Sequence, residues 1–259
     1  LDSGSLPGAA AASSLGIRTV ALEISFLIHE HQRLHRLAGM EETTDLITYW
    51  GTSARERIKE RGLDSDHLHV SGLCSLDYYA ALRSLRARAA FDPRAYWAAL
   101  GVPDVEPPVI LFAAHFGGRQ AIYDIDAYHQ TLATVCEALA DARRGTLVVK
   151  ALTTDDPTTI GSIAGLHEGG RLRLISPFHP FQNAHYLFGS DLVISAPTTL
   201  LAEAVTMGRP SATLDLCHHE NWYPVSAQQL DDLGRFAPVV DSEERLADLV
   251  RGLLAGRVA

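Results

Sequence analysis

The sequence predicts an α/β protein with two parallel-sheet units that face a cleft, the N-terminal unit being incomplete. Three observations lead there. Short apolar runs rich in β-branched residues, such as Leu192-Val193-Ile194, alternate along the chain with stretches of helical periodicity. That alternation implies parallel sheets with right-handed crossovers. Residues 91–108 hold Asp92-Pro93, Gly101-Val102-Pro103 and Pro107-Pro108; this concentration of chain breakers reads as a linker between a unit over 1–90 and a second over 109–259. Residues 186–216 read as strand, polar turn, short helix, small-residue break and strand.

In the first unit a helix is expected over 7–15, strands over 19–22, 46–49 and 67–70, and helices over 53–61 and 78–90. A His-rich turn follows the first strand, and residues 1–5 read as a strand end and its turn. The linker carries a short helix at 94–100. The second unit opens with strand 109–113, followed by helix 127–142, strand 146–150, helix 158–167, strand 171–175, helix 181–188, strand 192–195 and helix 199–207. Gly208 stops that last helix, with Pro210 beyond it, and Thr is a normal residue at its start. Strand 212–216 is expected to close the core. A final helix over 242–254 opens at Ser242, with Glu243 and Glu244 placed favourably for the macrodipole in its first turn.

Composition sets outer limits on function. The 259 residues are 47% hydrophobic and 20% charged, enough for a sizeable core. The net charge of −9 offers no basic field for nucleic acid. Cys74, Cys136 and Cys217 are odd in number and lack metal spacing, which suits reduced thiols in a cytoplasmic protein. No run approaches the ~18 apolar residues of a membrane span, and the opening residues do not read as a signal peptide.

The segment 186–216 locates a site. Ser195, Thr198 and Thr199 stand where a strand end feeds a helix, the place where open α/β sheets bind ligands and where free backbone N–H groups favour phosphate. Together, Asp191 leading the strand, the Ser/Thr turn, Glu203-Ala204 and Gly208-Arg209-Pro210 resemble the donor-binding part of GT-B glycosyltransferases. Related to these are the UDP-N-acetylglucosamine 2-epimerases and the polyol-phosphate transferases. Trp50-Gly51-Thr52, Arg61-Gly62-Leu63 and Val70-Ser71-Gly72 with Asp77 are similar to the close of that superfamily's first domain, and 109–113 to the opening strand of its second. The resemblance implies two Rossmann-like domains, a UDP-linked nucleotide sugar as donor, a hydroxyl acceptor, and neither a metal nor a bound cofactor. It also implies several βα units before residue 1, so the first unit is expected to be trimmed or reduced, and a homo-oligomer or a missing N-terminal segment is expected among the partners.

Each site residue has a functional and a structural reading. By the resemblance, Glu203 accepts hydrogen bonds from the donor ribose, for which a carboxylate is suited; otherwise it is a helix glutamate near a positive dipole end. Thr198 and Thr199 hold diphosphate or simply cap the helix. A second glutamate common in retaining members is replaced by Ser195. Gly117 and Gly118 let backbone approach a ligand and Arg119 neutralises phosphate, or they form a plain turn. Lys150 matches a lysine of the polyol-phosphate transferases, whose following histidine is absent here; alternatively it is a solvated strand end. Phe178, in Pro177-Phe178-His179-Pro180, stacks on the base or is buried in a proline-rigid loop.

Among histidines, His29 is the candidate catalytic base. His31 and His35 are spaced as a metal pair but lack an evident third ligand. His218-His219-Glu220 is placed to meet donor hydroxyls. Asp124-Ile125-Asp126 is better read as a helix start with Asp126 as N-cap than as a metal motif. The expected function is glycosyl transfer from a nucleotide sugar, with 2-epimerisation, polyol-phosphate transfer or non-catalytic nucleotide-sugar binding as rivals.

Overall fold

The computed structural model describes residues 5–22, 44–49, 51–52, 55–56, 59, 66, 68–72, 75–88, 90–113, 125–151, 158, 171–176, 178–196, 198–215, 234 and 237–257. The chain divides into two compact units, Leu1–Tyr78 and Tyr79–Ala259.

In the first unit, α1 (Ser5–Ser14) precedes a parallel sheet of β1 (Val20–Leu22), β2 (Leu46–Tyr49) and β3 (Leu68–Val70), in that order. Ile47 and Leu68 are register partners and both are buried. Thr19 N donates to Asp45 Oδ2 at 2.7 Å, which pins the start of the β1–β2 pairing. The helix expected over 53–61 falls mostly outside the described residues.

The chain passes into the second unit along α2 (Ser75–Arg88). Residues 91–108, expected as a linker, lie inside this unit. Their short helix α3 (Pro93–Ala99) has Pro93 in its first turn and Asp92 as N-cap, accepting from Arg94 N. It buries Trp97 completely, and Val102 and Val105 are buried after it. The breakers set the turns, but the apolar side chains between them are driven out of water. Trp97 Nε1 donates to the Gly189 carbonyl at 3.0 Å, so its one polar atom is satisfied in the core.

The six strands of this unit are β4 (Val109–Ala113), β5 (Thr146–Lys150), β6 (Leu172–Ile175), β7 (Leu192–Ser195), β8 (Ser211–Leu214) and β9 (Val239–Val240). All pair in parallel, in the order β6-β5-β4-β7-β8-β9. Val109 to Phe112 on β4 are fully enclosed, which accounts for the continuous apolar run of a central strand. β8 does not close the sheet as expected, because β9 pairs beyond it; two residues, Val239-Val240, are too short a run to give a periodic signal.

On one side α4 (Ile125–Asp141) packs with α7 (Glu243–Leu254) over a core that includes Ile110, Leu132, Leu147 and Leu246. Ser242 caps α7, its Oγ accepting from Arg245 N. Asp126 lies in the first turn of α4, not at the N-cap, because the helix begins at Ile125. The other connections include α5 (Asn183–Gly189) and α6 (Thr199–Thr206).

At the amino-terminal edge of the sheet Asp191 acts as a strut. Its Oδ2 accepts from Val109 N, its own N–H donates to the Val109 carbonyl, and its Oδ1 pairs with Arg86 Nη2, each at 2.8 Å. Arg86 also donates to the Phe188 and Ser190 carbonyls. The aspartate that leads the strand therefore ties β4 to β7 at the end opposite the candidate site.

Candidate functional site

The strand order of the second unit reverses between β4 and β7. Connections from such a pair leave toward opposite faces of the sheet, opening a crevice at the carboxyl ends where ligands bind. The last residues of the two strands, Ala113 and Ser195, are register partners. Ser195 is fully buried, and its Oγ donates to the Ala113 carbonyl at 2.5 Å. The same Oγ lies 3.2 Å from Thr198 Oγ1. The two strands are thus tied to each other, and to the turn after β7, at the reversal.

Thr198 stands at the N-cap of α6 in extended conformation, but its side chain makes no capping bond. The expected structural role for this threonine therefore does not hold; its hydroxyl is engaged with Ser195 instead. Thr199, the first residue of α6, is half-buried. Thr198 supplies no side-chain cap and Leu201 N donates to the Thr198 carbonyl at 3.2 Å, so the positive end of the α6 dipole is the feature there that suits an anion.

Glu203 lies in the second turn of α6, and that helix has no acid in its first turn. A macrodipole role at the N-terminus therefore does not explain it, since that effect fades within one turn. Its carboxyl is half-buried, and burial holds it above the usual carboxylate range. A hydrogen bond from Tyr79 and the positive charge of Lys150 pull in the other direction. Oε2 is enclosed and has no hydrogen-bond partner among the described residues. A buried oxygen left in that state is costly unless a ligand or water supplies a donor.

Lys150, the last residue of β5, is half-buried, with Nζ 5.8 Å from the centroid of the Tyr186 ring. It is therefore not a solvated strand end. Tyr186 itself is fixed twice: His179 Nδ1 lies 2.7 Å from its hydroxyl, which donates to the Phe181 carbonyl at 3.1 Å. The anchored His179 holds the loop on which Phe178 stands 82% exposed. A buried phenylalanine, the structural alternative for this residue, is thereby overturned.

Glu203, Lys150, Ser195, Thr198 and Thr199 thus belong to one neighbourhood of the second unit, at the carboxyl ends of β5 and β7 and on the helix that follows. Gly117, Gly118, Arg119 and His29 lie outside the described residues, as do His31, His35, Asp124 and the 218–220 group. Among the described residues no cluster of three or more His, Cys, Asp or Glu is placed to hold a metal ion. Cys136 is half-buried, and burial together with Glu137 pushes its thiol up to about 11, which disfavours the thiolate.

Two groups escaped sequence reading. Tyr79 reaches Glu203 from a distant helix with no motif to mark it. Tyr186 reads as an apolar helix residue, and only its hydroxyl contacts reveal its place beside Lys150.

The fold and the strand-reversal site define an α/β protein of the GT-B, Rossmann-like type. No protein-family model matches the chain, and no curated protein matches it by sequence. Solved structures do match. A Listeria monocytogenes protein assigned to the UDP-N-acetylglucosamine 2-epimerases aligns over 97% of this chain and 63% of its own, with a TM-score of 0.65 and 18% identity. The UDP-GlcNAc 2-epimerase of Neisseria meningitidis, bound to UDP-GlcNAc, aligns over 96% and 65%, with a TM-score of 0.65 and 13% identity. The wall teichoic acid polymerase TagF aligns over 88% and 62%, with a TM-score of 0.53 and 10% identity. The chain spans less than two thirds of each of these proteins, and at such identities the likeness is one of fold. No helix among the described residues is long and apolar enough to cross a membrane.

Proposed function

We propose that the second unit binds the nucleoside diphosphate of a UDP-linked sugar at the β4/β7 reversal, and that the chain belongs to a GT-B-type glycosyltransferase acting on a hydroxyl acceptor. The observation that carries this reading is Glu203: a carboxylate beside the strand reversal, with one oxygen enclosed and lacking a donor. A ribose hydroxyl would supply that donor. The first-turn N–H groups of α6, with Thr198 and Thr199, would receive the diphosphate. Lys150 would add positive charge as the leaving diphosphate develops, so no metal is required for that step. In this reading Gly117, Gly118 and Arg119 approach the phosphates, Phe178 stacks on the base, and His29 takes the acceptor proton. Ser195 shapes the turn, since its hydroxyl is already committed to Ala113.

A second reading, 2-epimerisation of the nucleotide sugar, is favoured by one observation: several of the similar solved structures are UDP-GlcNAc 2-epimerases. The two reactions differ in products. Transfer releases UDP and requires an acceptor, whereas epimerisation inverts C2 of the sugar and returns the intact nucleotide sugar.

Thermal unfolding with UDP, CDP, GDP and ADP tests the site. A ligand that binds only the native state, at 100 times its Kd, adds about 2.7 kcal/mol, or several degrees at this size. UDP is expected to raise the Tm selectively, and Glu203→Ala to abolish the rise. No response to any of the four nucleotides would refute the site.

A further inference from the structure

The sheet of the second unit carries a cavity at the end away from the strand-reversal site. It opens at the amino ends of β5 and β6 and has a volume of about 730 Å³, within the range of sites for small organic ligands. Thr146, the first residue of β5, lines it, whereas Lys150 is the last residue of the same strand. Four steps along a parallel strand put roughly 13 Å between the two. The cavity is therefore distinct from the neighbourhood of Lys150 and Glu203.

Its charge runs against that of the chain. The whole protein carries −9. Yet among the described residues that line the cavity, three arginines, Arg94, Arg171 and Arg173, meet two acids, Asp104 and Glu106. The arginines have different duties. Arg173 braces the wall: Nε donates to the Pro103 carbonyl at 3.1 Å and Nη2 to the Asp104 carbonyl at 3.0 Å. These bonds secure Asp104 at a φ of 57°, a left-handed value uncommon outside glycine. Arg171 and Arg94 instead share one carboxylate, and both contacts are long. Arg171 Nη1, which also donates to the Gly145 carbonyl, lies 3.4 Å from Glu106 Oε2, and Arg94 Nη2 lies 3.9 Å from Glu106 Oε1. Well-formed guanidinium–oxyanion bonds are about 2.7–2.9 Å long. Glu106 is anchored by its backbone: its N–H donates to Thr146 Oγ1 at 2.7 Å, and that hydroxyl donates to the Glu106 carbonyl at 3.0 Å. Its side chain is half exposed. The carboxylate can swing aside without moving the wall, and so loose and exposed a pairing costs little to give up.

We propose that this cavity binds a small phosphomonoester, its phosphoryl group seated between Arg94 and Arg171 in place of the Glu106 carboxylate. Guanidiniums present forked donors that match phosphoryl oxygens, and a dianion is a stronger partner for two of them than one carboxylate. Ala98 and Pro103, also in the lining, offer an apolar wall to the carbon body of an ester, which inorganic phosphate lacks. The proposal holds whatever binds at the β4/β7 reversal.

Titration calorimetry of the whole chain with glycerol 3-phosphate, and separately with inorganic phosphate, tests this at constant ionic strength. Glycerol 3-phosphate is expected to bind saturably and more tightly than inorganic phosphate. Arg171→Gln should raise its Kd about tenfold, the scale of one hydrogen bond to a charged group. Arg94→Gln should act in the same direction, and because Arg94 is exposed it serves if Arg171→Gln does not fold. Glu106→Gln should lower the Kd severalfold, since the competing carboxylate is gone; a purely structural ion pair would give no such gain. Saturating UDP should leave the Kd unchanged. The absence of saturable binding of glycerol 3-phosphate would overturn the proposal, as would a Kd untouched by the arginine substitutions, or competition by UDP. Equal binding of inorganic phosphate would overturn the assignment to an ester.

Discussion

Ser195 Oγ and the Ala113 carbonyl, 2.5 Å apart, join the two strands between which the sheet order reverses. The contact does more than close a gap, because the same hydroxyl also meets Thr198 Oγ1, the side chain at the start of α6. Ser195→Ala should therefore act on stability and site together. It leaves a carbonyl in a buried setting without this donor, a loss of about 1–2 kcal/mol. It also frees Thr198, so UDP affinity should fall. Urea unfolding reads the first effect and titration calorimetry the second; a variant equal to the parent in both would remove Ser195 from the account.

Glu203→Gln should stabilise the protein above acidic pH while abolishing UDP binding. The carboxyl is held above its ordinary range, mainly by burial. Between the unfolded and folded pKa values the native state binds more protons than the unfolded state, so stability falls as pH rises through that window, and the deficit persists above it. Glutamine carries no charge and escapes the deficit. The gain of the glutamine variant is expected to be present at pH 8 and to shrink toward zero below the ordinary carboxylate pKa. Paired thermal scans from pH 4 to pH 8 check this, and a glutamine variant that loses ground to the parent as pH rises would reverse the assigned sign.

Gly189→Ala should destabilise the second unit. A Cβ at Gly189 would come within 2.7–2.9 Å of the Trp97 indole, and that ring is fully buried against the Gly189 carbonyl it bonds. Neither side has room to yield, so overpacking of about 1–3 kcal/mol is expected. The loss should appear as a lower urea midpoint with an unchanged m value. If the midpoint were unchanged, residues 91–108 would be a loosely held connector after all.

What the sequence determined by itself was local and periodic. Runs such as Val109–Ala113 and Leu192–Ser195 are strands because their β-branched and apolar residues suit a buried, pleated surface. Thr199–Thr206 is a short helix because Gly208 and Pro210 end it. These features sufficed to recognise alternating α/β architecture and to place Glu203 after a strand end. Patterns failed where packing overrode composition: residues 91–108 look like a connector but carry the buried Trp97, and Val239-Val240 is too brief to register as an edge strand. Only the tertiary structure decided the strand order, hence the reversal at Ala113 and Ser195, because pairing between distant segments depends on how whole faces fit. It alone brought Tyr79 and Lys150 to Glu203. The charge and direction of that carboxyl are set by groups from other elements, and the strength of burial and hydrogen bonds in a low-dielectric setting has no counterpart in linear order.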